Sequence, residues 1–325
     1  MLSILKLSVL GVLTSQARAT AFSARQIFQF PNTSFVSIEN VAVRPNGELI
    51  LTTSSAPTIY LLNPATNKPS ATLLHTFPGV NSCLGITETV PDVYAVACGN
   101  TSKETFTGTQ GSFAIWSIDL RCDPPKIKEI AAITEAKFLN GVTRVNDNAN
   151  AVLVADSELG VVFHLNMETG KYRTAISSQY FAPTTMVPIG LNGIRTFGQD
   201  LYFTNSAKGI FGRIPITRTG DPAGAVSVIA QSGSGDFFDD FAIGRKGNAW
   251  LVNHPDSLIE VTTGGQQTTI VNSTDIVQPS SVIFSQDGRV LYMVTAGFAS
   301  ASGYQNGQKG EESLTGGLSR DSMAS

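Results

Sequence analysis

Four side chains that carry carboxylate or amide oxygens recur at one place in a repeated pattern. Each stands at the start of an apolar run that leads through a tight turn into a second apolar run: Glu39, Asn140, Asn192 and Asp239. Two further repeats have Leu84 and Ser280 at the same place. Carboxylate and amide oxygens are ligands for hard cations such as Ca²⁺, and a carboxylate can act as a general base. If the fold gathers these residues, they could bind a metal or move a proton.

The elements that must position them are short strands. Helical periodicity is nearly absent, and apolar and β-branched runs are cut by Gly, Asn, Asp and Pro. Six strand–turn–strand stretches span residues 38–54, 83–99, 139–157, 191–206, 238–254 and 279–296. Third and fourth strands usually follow, and the stretches begin about 40 to 56 residues apart, which is typical of propeller blades. The pattern predicts an all-β, six-bladed β-propeller.

In a propeller the innermost strand of each blade lines a central channel, so its first residues form a ring at one mouth. The ring would contain the four oxygen-bearing residues. An alternative is that these side chains cap strand ends and bind channel water.

The sequences at the two ends of the chain decide how many strands the sixth blade can have. Residues 1–19 are predicted to be a signal peptide, because the apolar run Leu2–Leu13 precedes Ala17-Arg18-Ala19. We expect the propeller to span 20–302, with ARQIFQF supplying the outermost strand of the sixth blade. Residues 303–325 are rich in Gly and Ser and are expected to be a disordered tail. The sixth blade should therefore be incomplete, with three strands, or poorly ordered.

Other features fit a secretory route. Three sequons begin at Asn32, Asn100 and Asn272. Cys83 and Cys98 would face each other across a hairpin and form a disulfide, which leaves Cys122 free. No other apolar stretch has transmembrane length. The formal net charge is −3, without a basic cluster, which argues against nucleic-acid binding. We expect a secreted monomer that binds a small molecule.

At the ring residues and in the segments around them, the chain resembles the senescence marker protein/gluconolactonase family of six-bladed propellers. The matching segments are IENVAVRPNG, LNGVTR, LNGIRTFGQDLYFTNS and DDFAIGRKGNAWLV. The resemblance implies a divalent metal, usually calcium, held by Glu39, Asn140, Asn192 and Asp239. It also implies hydrolysis of a lactone, with Asp239 or the adjacent Asp240 as the general base.

The chain departs from that family at its rim. No segment matches the Arg and acidic residues that bind sugar substrates. Leu84 stands at the rim, and Phe237, Phe238 and Phe241 surround the Asp239–Asp240 pair. This pattern favours an apolar ligand, contacted by Leu84, Phe237, Phe241 and Ser280. The alternative is that the phenylalanines belong to the core between blades.

A signal peptide, sequons and the IENVAVRPNG opening resemble secreted fungal members of the family, in particular hetero-Diels–Alderases of tropolone–sesquiterpenoid biosynthesis. The resemblance implies that a tropolone quinone methide is joined to a humulene-type terpene. Two alternatives remain open: a calcium-dependent lactonase, and a secreted propeller that binds a ligand without catalysis.

The remaining polar residues carry weaker signals. His75 and His164 are expected in outer strands, whereas His254 ends the second strand of the fifth repeat and could act as a general acid. Asp156-Ser157 and Asn205-Ser206 end two second strands and are interpreted as turn residues. No catalytic triad, phosphate-binding loop or zinc-ligand spacing is present in the sequence.

Overall fold

A computed structural model describes residues 23–31, 36–146, 148–297 and 314–319. These residues form strands, turns and loops, with no helix among them, and thus none that could cross a membrane. The strands are β1 (Ser23–Gln29), β2 (Ile38–Val43), β3 (Leu49–Thr53), β4 (Thr58–Leu62), β5 (Ala71–Thr76), β6 (Ser82–Val90), β7 (Val93–Gly99), β8 (Thr101–Ser102), β9 (Thr107–Gly108), β10 (Ala114–Asp119), β11 (Lys126–Ala132), β12 (Leu139–Val145), β13 (Asn148–Asp156), β14 (Val161–Asn166), β15 (Tyr172–Ser177), β16 (Leu191–Phe197), β17 (Asp200–Asn205), β18 (Ile210–Pro215), β19 (Ser227–Gln231), β20 (Phe237–Ile243), β21 (Ala249–His254), β22 (Ser257–Val261), β23 (Gln267–Asn272), β24 (Pro279–Phe284), β25 (Val290–Thr295) and β26 (Leu314–Ser319).

Within the described residues, β8 and β9 form a two-stranded sheet, and the other strands build six four-stranded antiparallel sheets. From the inner strand outward, the sheets are β2-β3-β4-β5, β6-β7-β10-β11, β12-β13-β14-β15, β16-β17-β18-β19, β20-β21-β22-β23 and β24-β25-β26-β1. The inner strands contact one another in a closed ring, in the order β2, β6, β12, β16, β20, β24 and back to β2. The fold is an all-β propeller, as predicted, and we number its sheets one to six in that order.

Apolar residues between neighbouring sheets hold the ring together. Leu84 of sheet two packs in one cluster with Val142 and Phe163 of sheet three, and each of the other junctions contains a comparable cluster. Both faces of each sheet are covered by a neighbour, so the strands read as apolar runs rather than as alternating patterns. A single sheet could not bury its own faces, and stability therefore depends on a closed ring.

The sixth sheet differs from the prediction. The N-terminal strand β1 does form its outermost strand, as expected, but the sheet has four strands rather than three. The additional strand is Leu314–Ser319, which pairs with β25 on one side and β1 on the other. It lies within 303–325, where a disordered tail was predicted, and the rest of that tail lies outside the described residues. Its sequence, LTGGLS, has little strand propensity, and pairing on both edges explains why it forms a strand.

Glycines follow the ring residues where neighbouring inner strands meet. A Cβ atom on Gly85 would lie 2.2 Å from the carbonyl oxygen of Asn140, and one on Gly141 would lie 2.5 Å from the carbonyl oxygen of Asn192. On Gly193 it would lie 2.4 Å from Oδ1 of Asp240. Glycine at this position therefore lets the inner strands approach closely around the channel.

The predicted disulfide is present. Cys83 and Cys98 are directly paired across β6 and β7 and are joined, and Cys122 is free. Of the sequons, Asn272 is exposed and Asn100 is partly exposed. Asn32 and the predicted signal peptide, residues 1–19, lie outside the described residues.

Candidate functional site

A β-bulge occurs at every ring residue. The pairing of each inner strand with its second strand is interrupted between Ile38 and Asn40, Cys83 and Ile86, Leu139 and Val142, Leu191 and Ile194, Phe238 and Phe241, and Pro279 and Ser281. These gaps contain Glu39, Leu84, Asn140, Asn192, Asp239 and Ser280. A bulge changes the direction of its side chain and is common beside active sites. The repeat therefore places all six residues at equivalent positions, at the same end of the inner strands.

The negative charge of Asp239 affects the ionisation of the Glu39 carboxyl. Burial raises the pKa of the Glu39 carboxyl to about 8. The negative charges of Asp239 and Asp240 also raise this pKa, whereas a hydrogen bond with Ser54 lowers it. Burial also raises the pKa of Asp239, whereas the hydrogen bond and charge of His254 lower it. The prediction that these two carboxyls meet at one mouth is thus consistent with the geometry, and the mouth carries an excess of acidic groups.

Two serines set the orientation of the ring asparagines. The Ser157 hydroxyl donates to the carbonyl oxygen of Leu191 at 2.6 Å, and the Ser206 hydroxyl donates to that of Phe238 at 2.9 Å. Because a hydroxyl has one proton, each serine can only accept from its asparagine. Nδ2 of Asn140 donates to Ser157 at 3.2 Å, and Nδ2 of Asn192 donates to Ser206 at 2.9 Å.

This arrangement leaves the side-chain oxygens of the two asparagines for another partner. Neither oxygen accepts a hydrogen bond from any described residue. Asn192 Nδ2 also donates to Oδ1 of Asp239 at 2.6 Å, and since a carboxylate only accepts, this contact fixes the same amide orientation. Two amide oxygens and two carboxylates, with excess negative charge, fit a divalent cation.

Asp239 is also paired with a histidine. Nε2 of His254 lies 3.1 Å from Oδ2 of Asp239, and the two side chains are 11% and 14% exposed. The ring of Phe237 stacks on the imidazole, with 4.2 Å between ring centres and 14° between planes. Phe237 is itself 36% exposed. The mouth therefore presents a carboxylate–imidazole pair, suited to general acid–base chemistry, beside an accessible aromatic face.

The residues that contact ring side chains share one sequence position. Ser157 and Ser206, which hold ring asparagines, directly follow the second strands of their sheets. His254, which pairs with Asp239, ends the second strand of sheet five. The prediction that Ser157 and Ser206 are only turn residues is incomplete, because both also hold ring side chains. Their neighbour Asp156 does form a turn, accepting hydrogen bonds from backbone N–H groups. The recurrence of Ser after a strand could have identified these positions in the sequence.

Asp240 is not placed for catalysis, contrary to the prediction. Its side chain is 3% exposed, and its Oδ2 accepts hydrogen bonds from Arg195 at 2.6 Å, Asn40 at 3.0 Å and Ser281 at 2.8 Å. These partners come from sheets four, one and six. Asp240 therefore links four sheets across the channel.

Three of the predicted ligand contacts also differ from expectation. Leu84 is buried in a cluster between sheets two and three, which does not fit a ligand contact. Phe241 and Phe238 are buried between sheets four and five, so the core interpretation holds for these two phenylalanines. The Ser280 hydroxyl donates to the carbonyl oxygen of Ile38 at 2.8 Å and joins sheets six and one. Phe237 is the predicted contact that faces solvent. His75 and His164 lie in β5 and β14, away from the ring, as expected.

A cavity of about 370 Å³ opens at the other end of the inner strands, lined by residues such as Val43, Thr143, Arg195 and Phe284. Arg195 lines this cavity and bonds to Asp240, so the Asp240 cluster lies between the cavity and the ring. The ionisable pair and the ring asparagines lie at the opposite mouth, and we assign the candidate site there. Among the described residues, no group of three or more His, Cys, Asp or Glu is arranged to hold a metal. Two of the four candidate ligands are asparagines.

Comparison with known sequences gives two relatives, and no protein-family model matches the chain. A protein from Sarocladium schorii, provisionally named a hetero-Diels–Alderase, is 25% identical over 245 residues, which cover 68% of this chain and 61% of that protein. A protein from a Phoma species with the same provisional name is 26% identical over 245 residues, covering 67% and 68%. The matched region is therefore less than two thirds of the length of the first relative.

Solved structures share the fold at lower identity. Regucalcin of Agrobacterium tumefaciens, a calcium-binding protein, superposes with a TM-score of 0.63 at 16% identity, covering 92% of this chain and 94% of that one. A protein provisionally named a gluconolactonase superposes with a TM-score of 0.63 at 13% identity, covering 92% of each chain. In sequence the chain thus resembles fungal proteins named hetero-Diels–Alderases, and in fold it resembles the regucalcin and gluconolactonase propellers.

Proposed function

We propose that the chain is a small-molecule enzyme of a fungal natural-product pathway, and specifically a hetero-Diels–Alderase. The substrates would be a tropolone quinone methide and a humulene-type sesquiterpene. The observation that carries the proposal is the Asp239–His254 pair beside the exposed face of Phe237, taken together with the names of the two fungal relatives.

The pair suits the step that generates the diene. A hydroxymethyl tropolone becomes a quinone methide by losing water, so its ring hydroxyl gives up a proton and its side-chain hydroxyl leaves with one. Asp239 and His254 lie within hydrogen-bond distance of each other and can hold that proton between them. His254, which Phe237 stacks upon, would return the proton to the departing hydroxyl.

The bond-forming step requires fewer catalytic groups than the loss of water does. A hetero-Diels–Alder closure converts two π bonds into one carbon–carbon and one carbon–oxygen bond, without net proton transfer. Holding the two partners together lowers the entropic part of the barrier, and oriented hydrogen bonds can stabilise a polarised enone. Few dedicated catalytic groups are required for this step, which agrees with a mouth that presents the Asp239–His254 pair beside an exposed aromatic face.

The test is direct. The purified mature chain is incubated with the hydroxymethyl tropolone and humulene, and the adduct is quantified by chromatography with mass spectrometry. We expect adduct to form faster, and with one stereoisomer favoured, compared with buffer alone. Equal rates and equal isomer ratios with and without the protein would reject this function.

A second function, a calcium-dependent lactonase, is favoured by the amide orientation of Asn140 and Asn192. With Glu39 and Asp239 these residues would hold Ca²⁺, which when bound would polarise a lactone carbonyl. In that role Asp239 would accept a proton from the attacking water. Lactone hydrolysis that is abolished by chelation and restored by Ca²⁺ would support this alternative, and hydrolysis that persists in excess chelator would reject it.

We also propose a setting for the enzyme. The Cys83–Cys98 disulfide is compatible with a secreted protein. The predicted signal peptide and glycans at Asn100 and Asn272 would agree with this location. A secreted propeller that only binds a ligand is the remaining alternative, and it predicts no turnover for any substrate.

A further inference from the structure

Large apolar side chains are exposed at specific places on the propeller. Among the described residues they are Leu73, Phe106, Met186, Val187, Val228 and Phe237. Leu73 and Val228 lie on β5 and β19, the outermost strands of their sheets, where isolated exposed apolar residues are common. The other four belong to the end of the propeller that carries the ring, and Phe237 is already part of the candidate site.

Phe106 stands on a hairpin inserted into sheet two. The two-residue strands β8 and β9 form this hairpin between β7 and β10. Phe106 lies at its tip with φ of 53° and 51% exposure. A bulky side chain at positive φ is strained, and here about half of its surface stays exposed to solvent. Such strain is more often retained at functional sites than elsewhere.

Met186 and Val187 stand on the connection between β15 and β16, residues 178–190. The start of this loop is fixed, because Nδ2 of Asn205 donates to the carbonyl oxygens of Tyr180 at 2.9 Å and Ala182 at 3.0 Å. Its tip is a formed turn in which the backbone N–H of Thr184 donates to the carbonyl oxygen of Val187 at 3.1 Å. This turn leaves Met186 90% and Val187 41% exposed.

Both segments meet the turn that orients Asn140. The backbone N–H of Gly108, in the hairpin, donates to Oε1 of Glu158 at 2.6 Å. The backbone N–H of Gly190, at the end of the loop, donates to the carbonyl oxygen of Ser157 at 2.9 Å. The Ser157 hydroxyl in turn accepts a hydrogen bond from Nδ2 of Asn140. The hairpin and the loop are thus attached to adjacent residues beside the ring.

We propose that Phe106, Met186 and Val187 form an apolar lip that binds the hydrocarbon part of the substrate and determines specificity for it. The occupant is an apolar small molecule of sesquiterpene size, whose identity rests on the proposed function. Contact with these side chains would remove apolar surface from water on both sides, which favours binding without any hydrogen bond. Because Phe, Met and Val side chains carry no group that can exchange a proton, they act on substrate binding rather than on chemistry.

The experiment measures hydrocarbon binding without turnover. Humulene is volatile, so its binding constant follows from the fall in its headspace concentration above increasing protein. The wild-type chain is compared with Phe106→Ser/Met186→Ser/Val187→Ser and with the control Leu73→Ser/Val228→Ser. The control removes two exposed apolar side chains from the outer strands, Leu73 at 52% and Val228 at 44% exposure. Thermal unfolding establishes that all three proteins are folded.

We expect the triple variant to bind humulene about tenfold or more weakly, from the loss of three partly buried apolar contacts, and the control to bind like the wild type. Unchanged binding by the triple variant, or an equal loss in the control, would overturn the lip. So would a triple variant that loses only its sedimentation with phosphatidylcholine vesicles, since that result assigns the side chains to a membrane surface.

Turnover separates this inference from the proposed function. If the wild-type chain forms no adduct but retains humulene through these three side chains, the lip stands and the hetero-Diels–Alderase assignment fails. If adduct forms, the triple variant should show a raised KM for humulene with little change in kcat. A fall in kcat alone would overturn the assignment of these residues to binding.

Discussion

Nε2 of His254 lies 3.1 Å from Oδ2 of Asp239, and the two residues belong to neighbouring strands of one hairpin. The contact exists because β20 bulges at Asp239 and because β21 ends at His254. Neither side chain is fully buried, so the pair can reach a ligand at the channel mouth. The contact therefore adds to the ring an imidazole that can exchange a proton with the Asp239 carboxylate.

Replacing His254 with Gln should lower turnover about 100-fold or more, because general acid–base catalysis typically contributes that factor. Glutamine can still hydrogen-bond Asp239 but cannot exchange a proton, so the fold should be retained. Adduct formation and thermal unfolding would be measured in parallel. An enzyme that keeps wild-type kcat without the imidazole would remove His254 from the mechanism.

If the ring binds Ca²⁺, as the lactonase alternative requires, Ser206 should influence the affinity without contacting the ion. Ser206→Ala removes one of the two hydrogen bonds that orient the Asn192 amide, the other being the bond to Asp239, and loss of such an orienting hydrogen bond typically weakens metal binding 10- to 100-fold. Ser206→Thr keeps the hydroxyl and should restore much of the affinity. Isothermal titration of Ca²⁺ would measure both, with Ser285→Ala, at the other mouth, as control. Equal affinities for Ser206→Ala and the control would contradict the orienting role.

Asp240 should contribute to stability, since its carboxylate is the buried partner of Arg195. Asp240→Asn leaves the guanidinium without its counter-charge, and breaking a buried ion pair in this way typically lowers the free energy of unfolding by about 3–5 kcal/mol. The control is Asp200→Asn, whose partner Arg213 is 47% exposed and whose loss should change stability by about 1 kcal/mol or less. Denaturant unfolding would compare them, and equal effects would show that the buried cluster is not a specific link between sheets.

In the presence of chelator, the protein should lose stability as the pH rises. The pKa of Glu39 is about 8 in the folded chain, above its ordinary value of 4.5. Between these values the folded chain keeps a proton that the unfolded chain has released, so raising the pH through this window lowers the free energy of unfolding. Asp239, whose pKa is also raised, acts in the same direction.

Glu39→Gln provides the control for that pH dependence. Glutamine does not titrate, so the variant should lose most of the decline in stability between pH 5 and pH 8. Unfolding would be measured in chelator at both values. A wild-type protein whose calcium-free stability rises across this range would show that the Glu39 carboxyl ionises normally.

The ring positions and the candidate acid–base residues could be found from the sequence, but the contacts between them could not. Glu39, Asn140, Asn192 and Asp239 could be found because each occupies the same place in a repeat, and a repeat places equivalent residues equivalently. Asp239 and Asp240 are adjacent and alike in type, and both lie in the bulge of β20. Tertiary packing decides that Asp239 meets His254, whereas Asp240 is held by Arg195, Asn40 and Ser281.

Other differences also arise from tertiary pairing. Phe237 and Phe241 are both phenylalanines that flank the Asp239–Asp240 pair in the sequence. Phe237 stacks on His254, whereas Phe241 lies between sheets four and five. Residues 314–319 have too few apolar residues to predict a strand, and they form one because β25 and β1 are both available as partners. These outcomes depend on neighbours distant in the chain, which local propensity does not contain.

We propose that the channel mouth around Asp239 is the reaction centre. The decisive measurement is adduct formation from hydroxymethyl tropolone and humulene with Asp239→Asn, beside the wild type and Asp200→Asn. We expect the wild type and Asp200→Asn to accelerate the reaction, whereas folded Asp239→Asn should return it to the rate in buffer. An Asp239→Asn protein as active as the wild type would place the reaction centre elsewhere.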